Sequence, residues 1–284
     1  MSKVIYQQHS AKRLAFRELK NRFDSNIIRE ITELITNSLD SYNKIENLDH
    51  EKTVVIELKQ PIKKGFENYV ISVTDNAQGL SKEELINIFQ ERGADNTGGI
   101  KNFKNRGLFG MGASDVMNAS ALENKTAQYL SIKNDKASIV NFFVADNGIV
   151  CFEEPQEIVD PQSLHRLRME NSITHNGTVV TFGVTEEVET SLPKTFFDFK
   201  QQLETFYLLD RHLLDKTNKI ELKAYDQSSI LSSEKYQLND PLLPTQKFTF
   251  IFKKIPFNCE VDFYLNNDKK ANHKDIIFKD ERGN

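Results

Sequence analysis

Apolar residues recur in steps of three and four from residue 26 to residue 42. Ile27, Ile31, Leu34, Ile35, Leu39 and Tyr42 fall on one side of a helix, and Glu33, Asn37 and Asp40 fall opposite. The period then shortens to two. "TVVIELK" and "NYVISVTD" read as strands, the second ending at Asp75 in the turn sequence "DNAQG". Ser81 and Glu84 form a capping box that opens the helix "SKEELINIFQ". Residues 93–107 carry Gly93, Gly98, Gly99 and Gly107 among Asn, Asp, Thr and Lys, with too few apolar residues to pack, which predicts a mobile loop. A helix is expected to begin near Met111, followed by strands at "AQYLSIKND", "ASIVNFFVAD" and "GIVCFEE". A polar stretch at residues 155–176 has no assigned element, and "GTVVTFGV" reads as a strand introduced by glycine. From Pro193 a helix is expected to carry Phe196, Phe199, Leu203, Phe206, Leu213 and Leu214, with strands "KIELKAY", "KFTFIFKK" and "EVDFYLN" after it. This change of pattern predicts two domains, residues 1–188 and 189–284, the second either small or cut within the chain.

Composition narrows the functional classes. The 284 residues suffice for a sizeable core. Twenty Phe and eight Tyr at 27% charge argue for folded, aromatic-rich packing. With 37 basic against 41 acidic residues the net charge is −4, so nucleic-acid binding over the whole surface is excluded and any such contact must be local. Cys151 and Cys259 are far apart and in no C-x-x-C spacing, which argues against a disulfide framework or a zinc site. No apolar run approaches the ~20 residues of a membrane span, and the opening "MSKVIYQQHSAKRLAF" lacks the apolar core of a leader. The expectation is a soluble cytoplasmic protein with no membrane partner.

Four local patterns carry candidate chemistry. Glu33, Asn37 and Asp40 project from one stripe of a helix within about two turns. There a carboxylate can take a proton from water and an amide oxygen can hold a hard cation. Asp75, at a strand-to-turn junction before Gly79, can serve as an Asx-turn residue or, in a cleft, accept a hydrogen bond from an exocyclic amine such as that of adenine. Gly107, Gly110 and Gly112 precede a helix start, where free backbone N–H groups and the positive end of the helix dipole favour an anion. Gly177 and Thr178 open a strand and need no functional account by themselves.

In this order and at these separations the four pieces resemble the GHKL ATPase superfamily of gyrase B subunits, ninety-kilodalton heat-shock chaperones, histidine kinases, MutL-type repair proteins and MORC proteins. "ELITNSLDS" is similar to the N-box E-x-x-x-N-x-x-D, especially its MutL form. "VTDNAQGL" resembles the adenine box D-x-G-x-G, "GLFGMGASDVM" the chaperone form of the phosphate box, and "NGTVVTF" the closing G-T strand. The resemblance covers roughly residues 26–184. It implies the Bergerat fold, a two-layer α/β sandwich with a mixed sheet covered on one face by helices, followed by a partial or small α+β segment like a transducer domain.

By the same resemblance Glu33 would be the general base and Asn37 the protein ligand of Mg²⁺. Asp75 would bind the adenine amine, with Gly79 beside it and Thr178 assisting through water. Gly107, Gly110 and Gly112 would wrap the phosphates, Asp40 would order the helix, and any of Lys101, Lys104 and Arg106 could reach the phosphates from the lid. The resemblance also implies slow Mg-dependent ATP hydrolysis, a nucleotide-dependent homodimer, and DNA or a client protein as partner. Alternatives are a non-hydrolysing nucleotide sensor, a chaperone-type ATPase, or a histidine kinase domain with His212 as a phosphate acceptor. Two departures bear on activity. Ala77 stands where the adenine box usually has its first glycine, and no counterpart of the transducer lysine is recognisable before Asn284, so this chain alone is expected to bind ATP better than it hydrolyses it.

Overall fold

The computed structural model describes residues 5–7, 26–45, 48, 50–60, 69–90, 112–146, 148–184, 189, 191–232, 246–252, 255–261 and 278–279. They fall into two compact units that divide between Ser232 and Ser233. In the first, ten strands form one mixed sheet: β1 (Ile5–Gln7), β2 (Lys52–Lys59), β3 (Val70–Asp75), β4 (Ala127–Lys133), β5 (Lys136–Val144), β6 (Val150–Glu153), β7 (Gln156–Ile158), β8 (Gly177–Gly183), β9 (Asn218–Ala224) and β10 (Gln227–Ile230). Their order is β1-β6-β5-β4-β8-β3-β2-β9-β10, with β7 paired to β5. Every described pairing is antiparallel except β2 with β9, which is parallel. The second unit pairs β11 (Gln246–Phe252), β12 (Ile255–Val261) and β13 (Phe278–Lys279).

Alternation along the strands decides which side chains meet the helices, because successive residues point to opposite faces. Val54, Ile56 and Leu58 of β2, Ile71 and Val73 of β3, Tyr129 of β4, Val140 and Phe142 of β5, and Val180 and Phe182 of β8 join one core. The helices over it are α1 (Ile27–Tyr42), α2 (Lys82–Gln90) and α3 (Gly112–Leu122), with α5 (Phe196–Glu204) contributing Phe199 and Leu203. Phe89 of α2 packs edge-on against Tyr129, Phe142 and Phe152 at centroid distances of 5.3, 4.9 and 6.0 Å. Each such pair adds roughly 0.5–1.5 kcal/mol beyond area burial. By the same parity Asp75, two residues after Val73, faces this helix layer, and so does Thr178, two residues before Val180.

The opposite parity builds a second, smaller cluster. Leu130, Ile132, Ala137 and Val179 pack there with Leu164 and Ile173, under α4 (Pro161–Asn171). This helix and β7 occupy the polar stretch that the hydrophobic period left without an element. Leu164 is its one buried residue, so no amphipathic stripe announces it. Its ends are well marked: Asp160 caps the start by accepting from the Ser163 N–H at 2.8 Å, and Ser172 closes it in the left-handed conformation.

Most other boundaries fall as the pattern predicts. Asn26 caps α1, its side chain accepting from the Ile28 N–H at 2.9 Å. The capping box is closed by Glu84 Oε2 on the Ser81 N–H at 2.6 Å and Ser81 Oγ on the Glu84 N–H at 3.3 Å. The helix expected from Pro193 to Leu214 is instead two, α5 and the short α6 (Asp210–Leu214), because the chain leaves the helix at its C-cap Thr205. The strand that meets the last expected one starts earlier: β12 runs Ile255–Val261, and the rest of "EVDFYLN" lies outside the described residues. The division expected near residue 188 does not coincide with the one observed. Residues 218–230 add β9 and β10 to the edge of β2, and Phe199, Leu203 and Leu209 enter the first core, so this segment belongs with the first unit.

Candidate functional site

The first long helix brings its polar residues to the start of α3. A Cβ placed on Gly112 would lie 2.9 Å from Glu33 Oε2 and 3.2 Å from Asn37 Nδ2. Glycine lets the α3 N-terminus approach these two groups without displacing the Glu33 carboxylate. Glu33 and Asn37 are half-buried, while Asp40, one turn further, is buried.

One residue beyond Asn37 the same helix reaches Asp75. Ser38 Oγ donates to Asp75 Oδ2 at 2.8 Å, and Thr178 Oγ1 donates to the same oxygen at 2.6 Å. Asp75 Oδ1 accepts from two backbone N–H groups, Ala77 at 3.0 Å and Thr178 at 3.2 Å. Thr178 therefore contacts Asp75 directly, through hydroxyl and backbone N–H alike. Asp75 is 2% exposed, and burial raises its pKa while these four hydrogen bonds pull against the rise. Behind it Tyr129, hydrogen-bonded to Thr178, has its hydroxyl pushed upward by burial and by the Asp75 charge.

Tyr42 completes the support. Its hydroxyl donates to the Thr53 carbonyl at 2.8 Å and accepts from the Thr53 and Asn76 N–H groups at 3.1 and 2.9 Å. Burial, then the charge of Asp75, push this phenol up to about 12. The turn itself needs a glycine at Gly79, where φ is +66° and a Cβ would sit 2.1 Å from the Ile132 carbonyl oxygen. Ala77 is not among the described non-glycine residues with positive φ, so its methyl adds volume without backbone strain. Of the expected site residues, Glu33, Asn37 and Gly112 come together, and Asp75, Gly79 and Thr178 come together. Ser38 links the two groups. Lys101, Lys104, Arg106, Gly107 and Gly110 lie outside the described residues.

A Histidine kinase-, DNA gyrase B-, and HSP90-like ATPase family model matches residues 26–176, more than half of the chain. The chain belongs to this family. It is the superfamily that the four motifs resemble. Among solved structures, the B-subunit of the DNA gyrase from Myxococcus xanthus is similar at 11% sequence identity and a TM-score of 0.49, over 90% of this chain and 68% of that one. No curated protein sequence matches. Among the described residues, no helix is long and apolar enough to cross a membrane, and no cluster of three or more His, Cys, Asp or Glu side chains is placed to hold a metal.

Ser38, Tyr42 and Asn76 are the residues around Asp75 to which the motifs give no role. A signal for the first was present: Leu34, Ser38 and Tyr42 follow one another at four-residue steps on the buried stripe of α1, and a hydroxyl there calls for a buried acceptor. One turn before Glu33, Glu30 is 4% exposed, and burial with the nearby Glu123 charge pushes its carboxyl from 4.5 up to about 8. The folded protein thus keeps this proton through a range in which the unfolded chain has lost it. The stability it contributes is complete below about pH 4.5 and declines as the pH rises toward 8. Urea unfolding of Glu30→Gln should therefore match the parent near pH 4 and exceed it near pH 8 by on the order of 4 kcal/mol. A variant that keeps the parent's decline would remove Glu30 as its source.

Proposed function

We propose that this protein binds ATP with Mg²⁺ between α1 and the turn after β3 and hydrolyses it slowly. The observation that supports this most is the approach of Gly112 to both Glu33 and Asn37, a cradle that a single Cβ would fill. It sets the positive end of α3, and the backbone N–H groups of its first turn, beside a carboxylate and an amide, the chemistry that a triphosphate and its attacking water require.

Asp75 reads the purine. The donors on its Oδ1 are backbone groups and fixed, whereas those on Oδ2 are hydroxyls of Ser38 and Thr178 that rotate. An adenine amine therefore takes its place at Oδ2, one hydroxyl turning to make room. Glu33 accepts the proton of the attacking water. The donor set suits Mg²⁺, which takes few protein oxygens and keeps water and phosphate ligands, so the Asn37 amide oxygen would hold it. When bound, the ion would supply neutralisation of phosphate charge.

In this reading a lid closes over ATP, a dimer clamp forms, and the closed state acts on DNA or a partner protein; residues 93–107, expected to form that lid, lie outside the described residues. Phosphate release by the purified chain with and without Mg²⁺, together with its mass in solution with a non-hydrolysable ATP analogue, tests both parts. Mg-dependent release and an analogue-dependent dimer are expected. A chain that neither releases phosphate nor binds the analogue would end the proposal.

A further inference from the structure

Asn76 follows Asp75 directly and is bonded through backbone and side chain alike. Its N–H donates to the Tyr42 hydroxyl, and its carbonyl oxygen lies 3.1 Å from His50 Nε2. The carboxamide crosses to the far side of the sheet. Nδ2 donates to the Ser172 carbonyl at 3.2 Å, and Oδ1 accepts from the Thr174 N–H at 2.7 Å and from Thr174 Oγ1 at 3.2 Å. An Asn in an ordinary turn bonds to its own backbone two residues on. This one is spent on a distant segment.

That segment is itself anchored. Ser172 is the left-handed C-cap of α4, with φ of 56°. The Ile173 N–H returns to the Arg168 carbonyl at 2.9 Å while its side chain is buried in the second cluster. Arg168 also donates to the His175 carbonyl and pairs with Asp135 at 2.9 Å. Next along the turn, the Ala77 N–H is one of the two fixed donors on Asp75 Oδ1. A displacement of Asn76 therefore carries Ala77 with it and frees the carboxylate to tilt.

We propose that Asn76 is a positioning residue for purine selection. Its clamp on Ser172 and Thr174 holds the turn from Asn76 to Gly79, and hence the Asp75 carboxylate, in the arrangement that accepts an adenine amine. Guanine offers a carbonyl where adenine has that amine, which sets acceptor against acceptor, and discrimination holds only while the carboxylate stays in place. In this role α4, on the reverse face of the sheet, serves the site without touching nucleotide. The inference rests on the reading of Asp75 as the purine-binding group.

The test is the affinity of the full chain for ATP and for GTP, each with Mg²⁺, by titration calorimetry, with melting temperature measured on the free protein. Asn76→Ala should lower the ATP-to-GTP affinity ratio about tenfold, the effect of losing a hydrogen-bonded clamp of ordinary strength. Asn76→Asp keeps the acceptor for both Thr174 donors but sets an oxygen against the Ser172 carbonyl, so it should lower the ratio by less than Asn76→Ala does. A purely structural role would lower the melting temperature and leave the ratio alone, so an unchanged ratio in Asn76→Ala overturns the proposal. If that variant fails to fold, Thr174→Val, which deletes the hydroxyl bond alone, is read in its place: a lowered ratio supports the clamp and an unchanged one overturns it. A parent chain that binds neither nucleotide, or an Asp75→Asn variant that binds ATP as tightly as the parent, overturns the site reading and this inference with it. A parent that depends on Asp75 but not on Asn76 overturns the clamp alone.

Discussion

Glu33→Gln should bind ATP within a few-fold of the parent while its phosphate release falls ~10²-fold or more, the usual effect of losing a general base. Glutamine is the informative replacement because it keeps the length of the side chain beside Gly112, where a Cβ would already come within 2.9 Å of Glu33 Oε2. Alanine would open space there, and a fall in rate would then mix lost proton transfer with a loosened α3 N-terminus. A hundredfold loss corresponds to about 2.7 kcal/mol of transition-state stabilisation. Because it appears in turnover and not in affinity, it belongs to a group acting after ATP is bound. Phosphate release at the parent rate would assign the proton to another acceptor.

Asp75→Asn should separate folding from nucleotide binding. The amide keeps one oxygen for the N–H groups of Ala77 and Thr178, and its NH₂ can donate to the Ser38 and Thr178 hydroxyls once these rotate. It also removes a carboxylate whose pKa burial holds high, so the free protein should melt no lower than the parent near neutral pH. An adenine amine, however, would then face a second donor. At ATP concentrations ~100 times the parent dissociation constant, the parent gains roughly 2.7 kcal/mol of stability. For a domain of this size that is a rise of roughly 5–10 °C in melting temperature. The variant should show almost none of it, and an undiminished rise would take Asp75 out of the site.

The two groups of site residues differ in how readily they could be read. Glu33 and Asn37 sit in a strongly periodic helix whose apolar stripe dictates what faces the core, and local order suffices to place them. Asp75 announces itself by ending a strand. The clamp on Asn76 is a different matter: it joins residues almost a hundred positions apart, through a helix that buries only Leu164, and neither feature leaves a period to detect. Tyr42 was legible only as an apolar position, since periodicity records that a ring is buried and not that its hydroxyl binds three backbone groups. The domain division was displaced because a parallel pairing such as β2 with β9 depends on residues far apart in the chain. A change of pattern near residue 188 marks where helix-and-strand spacing alters, not where contacts thin out.

That parallel pairing also bears on how the protein is made. Antiparallel neighbours β3, β8 and β4 can assemble as they emerge from the ribosome, yet β2 waits for residues 218–224 before its outer edge is covered. Throughout synthesis of the intervening stretch, the edge of β2 that later pairs with β9 is open to other nascent chains. The ATP-binding sheet is finished late, by a segment that follows its last site residue.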